Sequence, residues 1–172
     1  VFNRRPTMNV DGKIYKLYWG DPHCHGNLSG DAEGEIDENY AFGRYKSRLD
    51  FMAVTDNDVI YDNILTPSEL DLVVSEADHF DEPGKFVAIP AYERTYRKER
   101  KKGPNHRIML FPKGPLPLYH FTEPDADTLE KWAVLMDKTE VFSFPHHPTW
   151  WSIPSERIGG VELCSCWDIY IQ

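Results

Sequence analysis

The sequence is poor in cysteine and has no long apolar run, and both absences narrow the classes of protein to which it can belong. Its three cysteines, Cys24, Cys164 and Cys166, are too few for a disulfide framework. Cys164 and Cys166 are separated by one residue, and this C-x-C spacing differs from that of a zinc ribbon. The apolar stretches are far shorter than the roughly 20 residues that a membrane helix needs. We therefore predict half-buried thiols and a soluble chain with no membrane span.

The chain is also short of positive charge. It carries 19 Lys and Arg against 28 Asp and Glu, which gives a formal net charge of -9. Such a surface repels phosphate backbones, so we expect no nucleic-acid partner. An apolar content of 41% over 172 residues is enough for a packed core. Because no repeat or long linker divides the chain, we predict a single domain over residues 1–172.

The start of the sequence leaves the compartment open. The chain begins with Val1 and has no charged-then-apolar leader, from which we expect a trimmed or processed chain. The cytoplasm is slightly favoured, and the oligomeric state is left open.

Short apolar runs alternate with helical patterns along the chain. Runs rich in β-branched and aromatic residues fall at 14–19, 51–55, 86–91, 108–111, 141–144 and 160–163, and we predict a strand at each. The clearest helix begins at Thr66, with a capping box and a first-turn proline, and ends near residues 83–84. Two weaker helices cover about 127–138 and 36–48. Strands that alternate with helices are typical of buried parallel sheet, so the predicted class is α/β.

Side chains that bind metals follow several of these predicted strands directly. Because the carboxyl ends of neighbouring parallel strands converge on one rim, we expect these side chains to meet at one site. The residues concerned are His23 and His25, Asp56 to Asp58, Glu93, and His146 with His147.

The spacing and position of these residues favour cation binding. Residues two apart in an extended segment point to the same side, so His23 and His25 can hold one cation. Glu93 ends a strongly apolar strand, where a buried carboxylate needs a cation or several donors. A salt bridge to a nearby arginine is the alternative for Glu93. His106 begins the next apolar run, and its alternative is an edge histidine bonded to backbone.

In their order along the chain, these motifs resemble those of the PHP superfamily, whose name stands for polymerase and histidinol phosphatase. The resemblance covers about residues 18–163, and residues 80–93 further resemble a PHP branch of unknown function. It implies a distorted (β/α)7 barrel, incomplete at its C-terminal end, that hydrolyses phosphate esters with a metal-activated water. It also implies two or three divalent metal ions, of zinc, manganese or iron. The segments that carry it are residues 20–25, residues 49–58, Tyr92-Glu93, His106 and His147-Pro148.

The resemblance also assigns metal ligands position by position. One metal would be held by the first two histidines, and a second by two later ones, with Glu93 as the bridging carboxylate. Asp31 matches a ligand position of a third metal. A harder ion that is held by aspartates could take the place of this third metal. His146 is the alternative to His147, which the His-Pro pair favours. The full set is His23, His25, Asp31, Asp56, Glu93, His106 and His147.

The expected substrate is a small anion, a phosphate ester, and Arg107 beside His106 is its predicted contact.

Two departures from the family pattern leave other interpretations open. Asn57 stands where the family has a histidine ligand, and an amide oxygen binds zinc-like ions more weakly than imidazole. The closing Asp-x-His motif does not occur before Gln172, so we expect a part of a longer protein. The alternatives are a degenerate PHP module that binds metal or ligand without catalysis, and an interaction domain with incidental histidines.

Overall fold

The computed structural model describes residues 5–60, 63–95, 106–120 and 122–146. None of the helices in these ranges is long and apolar enough to cross a membrane. The chain runs in the order β1 (Thr7–Val10), β2 (Lys13–Lys16), β3 (Gly20–Cys24), α1 (Ile36–Ala41), β4 (Phe51–Val54), β5 (Val59–Ile60), β6 (Asn63–Ile64), α2 (Pro67–Phe80), β7 (Val87–Ala88), β8 (Ala91–Thr95), β9 (His106–Leu110), α3 (Leu129–Met136) and β10 (Phe142–His146), and a π-helical turn, Phe42–Ser47, follows α1 directly.

The strands within the described ranges pair in four separate sheets. β3, β4 and β7 form a parallel sheet in which α1 and α2 provide the crossover connections. The other three sheets are antiparallel: β1 with β2, β5 with β6, and β8, β9 and β10 in the order β10-β9-β8.

The prediction of a (β/α)7 barrel is wrong. The strands that the structure describes form no closed barrel, and most of their sheets are antiparallel. The α/β pattern holds only for β3, β4 and β7. From β8 onward the chain reverses direction at each strand, even though α3 lies between β9 and β10. Alternation of strands and helices in a sequence does not set strand direction, because a connection through a helix can also return the chain antiparallel.

Most of the predicted elements exist, with shifted bounds. The helix that was predicted from residue 66 is α2, and Thr66 caps it with the expected reciprocal hydrogen bonds to Glu69. The predicted strand at 14–19 is instead two elements, because β2 ends at Lys16 and β3 begins at Gly20. The predicted run at 86–91 also divides, and Glu93 therefore lies inside β8. The predicted strand at 160–163 lies outside the described residues.

The core packs the helices α1 and α2 against the parallel sheet and continues into β8, β9 and α3. Tyr40 of α1 is fully buried and stacks on Phe80 of α2, with ring centroids 5.6 Å apart. Its hydroxyl donates a hydrogen bond of 3.0 Å to the carbonyl of Ile89, which follows β7. This one side chain therefore ties both helices to the edge of the sheet that leads into β8.

Strand alternation gives the β8-β9-β10 sheet two different faces. Thr95 pairs with His106, and His106 pairs with His146, so these three residues share a face with Glu93. The opposite face carries the cross-strand pair Arg94 and Arg107. The first face holds the candidate metal centre.

Candidate metal centre

A buried carboxylate lies at the centre of a group of imidazoles. Glu93 is 1% exposed. Its Oε2 lies 2.7 Å from His25 Nε2 and 3.2 Å from His23 Nε2. Its Oε1 contacts Nδ1 of His106. Three of the predicted ligand histidines and the predicted bridging carboxylate are thus brought together, across separations of up to 83 positions in the sequence.

A fourth imidazole, that of His146, belongs to the same group. Its ring centroid lies 4.1 Å from that of His23 and 6.1 Å from that of His106. One ligand atom from each of His23, Glu93 and His146 can be chosen so that all three lie within 4.8 Å of one another. His147, which the sequence favoured over His146, lies outside the described residues. We use the name His-Glu cluster for His23, His25, Glu93, His106 and His146 together.

Local structure explains how these side chains converge. His23 lies in β3, and His25 is the first residue after this strand. Because the two residues are two positions apart in an extended segment, both side chains reach the same side of the chain. The backbone of Glu93 is tied to the segment after β4 by two hydrogen bonds. Glu93 donates to the carbonyl of Asp56 at 2.9 Å, and Asp58 donates to the carbonyl of Glu93 at 2.8 Å. The parallel sheet is thereby joined to β8, and the cluster forms at this junction.

The charges of the cluster are mutually stabilising. Burial opposes ionisation of Glu93, but hydrogen bonds from His106, His23 and His25 outweigh it and hold the pKa of this carboxyl well below its ordinary value. Burial likewise opposes protonation of His25, yet the carboxylates of Glu93 and Asp31 raise its pKa. The site therefore keeps an anionic centre and draws positive charge toward it.

Asp31 contacts the cluster from behind His25. Its Oδ1 lies 2.9 Å from Nδ1 of His25, on the side of the ring opposite to Glu93. A carboxylate in this position fixes the tautomer of the imidazole, so that the other ring nitrogen faces a cation. The resemblance assigned Asp31 as a direct ligand, but the contact described here is that of a residue that orients a ligand.

Asp56 supports the loop that carries His25. Its Oδ1 accepts hydrogen bonds from the backbone N–H groups of Gly26 at 2.7 Å and Ser29 at 2.9 Å. Its Oδ2 is buried and has no hydrogen-bond partner among the residues that the structure describes. Burial raises the pKa of this carboxyl, against the effect of the two backbone donors. A buried carboxylate oxygen without a hydrogen-bond partner can bind a cation or a proton.

Both polar atoms of the Asn57 side chain form hydrogen bonds within the protein. Its Oδ1 accepts a hydrogen bond of 2.7 Å from the hydroxyl of Thr95, and its Nδ2 donates one of 3.1 Å to Ser29. Both atoms of the amide are therefore bound to neighbours. This position, which holds a histidine ligand in the PHP pattern, contributes a structural link between β8 and the loop after β3.

Arg107 points away from the cluster. It lies next to His106 in β9, and neighbouring residues of a strand face opposite sides of the sheet. This placement gives no support to a contact between Arg107 and a substrate held at the cluster. The same alternation places Arg94 on the face opposite to Glu93, so it gives no support to the alternative of a salt bridge between them.

Sequence reasoning missed Ser29 and His120, and it considered Asp58 only as one of the aspartates that could hold a harder ion. Ser29 lies in a turn, and its only sequence signal is its place between His25 and Asp31. Asp58 is buried, and its Oδ2 lies 3.7 Å from Nδ1 of His120, while its Oδ1 accepts a hydrogen bond from the backbone of Thr95. The carboxylate of Asp58 raises the pKa of His120 above the ordinary histidine value, although burial opposes this shift.

The pair of His120 and Asp58 predicts a pH-dependent contribution to stability. Because the folded state raises the pKa of His120, the contribution is fully present below the unfolded histidine pKa of about 6.5. It is lost as pH rises through the raised pKa. We expect His120→Gln to lower the free energy of unfolding at low pH by about 0.5–1 kcal/mol, as is usual for a partly screened ion pair, and by less at high pH. Urea unfolding of both proteins over this pH range measures the difference.

The control for this prediction is His79→Gln, a change of an exposed histidine in the last turn of α2. The difference between wild type and His79→Gln should vary less with pH than that for His120→Gln. A pH-independent effect of His120→Gln would contradict a charged pair with Asp58.

Comparisons with models of protein families, with curated proteins and with solved structures found no match to this chain.

Proposed function

We propose that this chain is a metal-dependent hydrolase, a phosphoesterase related to the PHP superfamily, with its reaction centre at the His-Glu cluster. One observation carries the proposal: a carboxylate that is 1% exposed contacts three imidazoles, and a fourth imidazole lies beside them. The relation to the superfamily rests on the order of these residues along the chain, since the described strands do not form its barrel. The expected substrate class remains a small phosphate ester.

The donor set fits a divalent cation such as zinc, and two of its spacings fit as well, whereas His25 Nε2 and Glu93 Oε2, at 2.7 Å, form a hydrogen bond. The Nε2 atoms of His23 and His25 are 3.3 Å apart, and His23 Nε2 lies 3.2 Å from Glu93 Oε2. With metal–nitrogen bonds of 2.0–2.1 Å, neighbouring ligands of a tetrahedral ion are separated by about 3.3 Å. Imidazole and carboxylate are also the ligands that zinc, manganese and iron accept. The buried, unpartnered Oδ2 of Asp56 offers a further oxygen nearby.

In this proposal the His-Glu cluster would hold the metal, which when bound would supply a water of lowered pKa and charge neutralisation for the phosphoryl oxygens. The chain itself sets the geometry. Asp31 holds His25 in one tautomer, and Asp56 fixes the loop behind it through two backbone hydrogen bonds. Glu93 is buried and ionised, so it would neutralise part of the positive charge of the metal, which neutral imidazoles cannot do.

The test is metal content followed by turnover. Elemental analysis of the purified chain should find about one to two equivalents of zinc, manganese or iron, since a two-metal site holds at most two. The metal-loaded protein should then hydrolyse a generic aryl phosphate, and a chelator should remove the activity. A carefully purified protein that contains no transition metal and regains none on dialysis against these ions would overturn the proposal.

One observation favours a second candidate, a module that binds metal without catalysis. Both amide atoms of Asn57 already bond to Thr95 and Ser29, and an amide oxygen is a weaker ligand than imidazole, so this position offers a further metal less than the histidine of the family pattern would. The two candidates give the same metal content. They differ in turnover, because the second predicts that the metal-loaded protein hydrolyses no member of a broad panel of esters.

A further inference from the structure

The face of the β8-β9-β10 sheet opposite to the His-Glu cluster contains two buried guanidinium groups. Arg94 and Arg107 pair directly across β8 and β9, and each is 1% exposed. Both lie against Trp132 of α3, with their Cζ atoms 5.3 and 5.2 Å from the centroid of the Trp132 ring. The aromatic ring gives some favourable interaction to each cation, but it supplies no negative charge.

The positive charge of Arg107 has no counterion in the part of the chain that the structure describes. There its guanidinium donates one hydrogen bond, from Nε to the hydroxyl of Ser143 at 3.3 Å, and no carboxylate pairs with it. Burial and the charge of Arg94 lower the pKa of Arg107 to about 10, so the group stays protonated at neutral pH. A buried, unpaired cation costs several kcal/mol unless an anion compensates it.

Two buried donors at this place also lack acceptors. Nη1 of Arg107 and Nε1 of Trp132 are both buried, and neither has a hydrogen-bond partner among the residues that the structure describes. A buried N–H without an acceptor loses the hydrogen bond that it makes to water in the unfolded chain, which is unfavourable. Both unpartnered groups are donors, and one of them belongs to the charged guanidinium of Arg107. One small anion with several acceptor oxygens would satisfy both donors and the charge, whereas a water molecule would satisfy only the donors.

We propose that Arg107 and Trp132, beside Arg94, form a buried binding site for a small oxyanion on the face of the sheet opposite to the metal centre. An anionic oxygen of the ligand accepts hydrogen bonds from Arg107 Nη1 and Trp132 Nε1. The ligand ties β8 and β9 to α3, and it therefore stabilises the two strands that carry Glu93 and His106. This site is independent of the proposed function, because it needs neither a metal nor turnover.

The experiment is thermal unfolding of the full chain in inorganic phosphate, in formate and in sodium chloride at matched ionic strength. A concentration of 100 times the dissociation constant should raise the midpoint by about 5 to 10 °C over chloride. Phosphate and formate test the same chemistry in tetrahedral and planar form, and a response to either supports the site. Equal midpoints in all three salts would overturn it.

Variants locate the response. Arg107→Met, which removes the charge at similar side-chain length, should abolish the difference between the oxyanions and chloride. Trp132→Phe, which keeps an aromatic ring and removes the N–H, should weaken the apparent affinity about tenfold. The Trp132→Phe titration keeps the test decisive if Arg107→Met does not fold.

Two controls separate this site from the surface and from the metal centre. Lys46→Met removes one exposed positive charge and should leave the response unchanged. His25→Ala disturbs the His-Glu cluster and should also leave it unchanged. Loss of the response in His25→Ala, or its survival in both Arg107→Met and Trp132→Phe, would place the anion elsewhere and overturn the proposal.

Discussion

On the proposed function, replacing Glu93 with Gln is expected to abolish tight metal binding by the His-Glu cluster and, with it, the proposed hydrolysis. The substitution preserves the volume of the side chain but removes the negative charge that His23, His25 and His106 contact. Losing one partner of a buried charged group costs about 3–5 kcal/mol, which corresponds to a fall in metal affinity of roughly 10²- to 10³-fold or more. Metal titration and initial rates with an aryl phosphate measure the two effects.

The matched control is Glu33→Gln, the same chemical change at an exposed position in the loop before α1. Its metal affinity and its rate should stay within a factor of about two of the wild type, which corresponds to about 0.4 kcal/mol. Far-ultraviolet circular dichroism of Glu93→Gln checks that the protein is folded. A folded Glu93→Gln protein that keeps the full metal content would show that the carboxylate is not a ligand.

Replacing Tyr40 with Ala is expected to give the largest loss of stability for a single change in the core. Tyr40 is 0% exposed, stacks on Phe80 and bonds to the carbonyl of Ile89. Truncating a buried aromatic side chain leaves a cavity and costs about 3–5 kcal/mol. Because small domains are stable by only about 5–15 kcal/mol, we expect a large drop in the urea midpoint of unfolding.

Two further variants divide this effect into its causes. Tyr40→Phe keeps the ring and loses the hydrogen bond to Ile89, which should cost about 1 kcal/mol. Tyr45→Ala truncates a tyrosine of the adjacent π-helical turn that is 61% exposed, and it should change stability by about 0.5 kcal/mol or less. A loss for Tyr40→Ala no larger than that for Tyr45→Ala would contradict the position of Tyr40 in the core.

The chemistry of the residues predicted much of the candidate site. His23 and His25 are two apart, a spacing that brings both side chains to one side of an extended segment, and the structure gives them this arrangement. Glu93 could be selected because an ionisable residue in a strongly apolar run needs partners. These inferences depend on short-range geometry, which the sequence encodes directly.

Other inferences depended on the direction of a strand or on the face of the strand to which a residue points, and the sequence alone could not decide these. His146 and His147 are adjacent, so only the pairing of β10 with β9 shows that His146 shares a face with His106. Arg107 was selected because it is next to His106, yet that same adjacency places it on the other face of β9. The barrel that the resemblance implied is wrong, and the parallel sheet that the hydrophobic patterns predicted is limited to three described strands, because such patterns identify strands without fixing their direction. Long-range hydrogen bonding decides all three questions.

The alternating charges of β8 and β9 make the cluster sensitive to the number of residues in each strand. Glu93 and Arg94 are neighbours, as are His106 and Arg107. Deleting or inserting one residue of β8 upstream of Glu93 would exchange the sides to which Glu93 and Arg94 are directed. A carboxylate would then be replaced by a guanidinium, and the sign of the electric potential at the cation site would be reversed without any change in the ligand residues themselves.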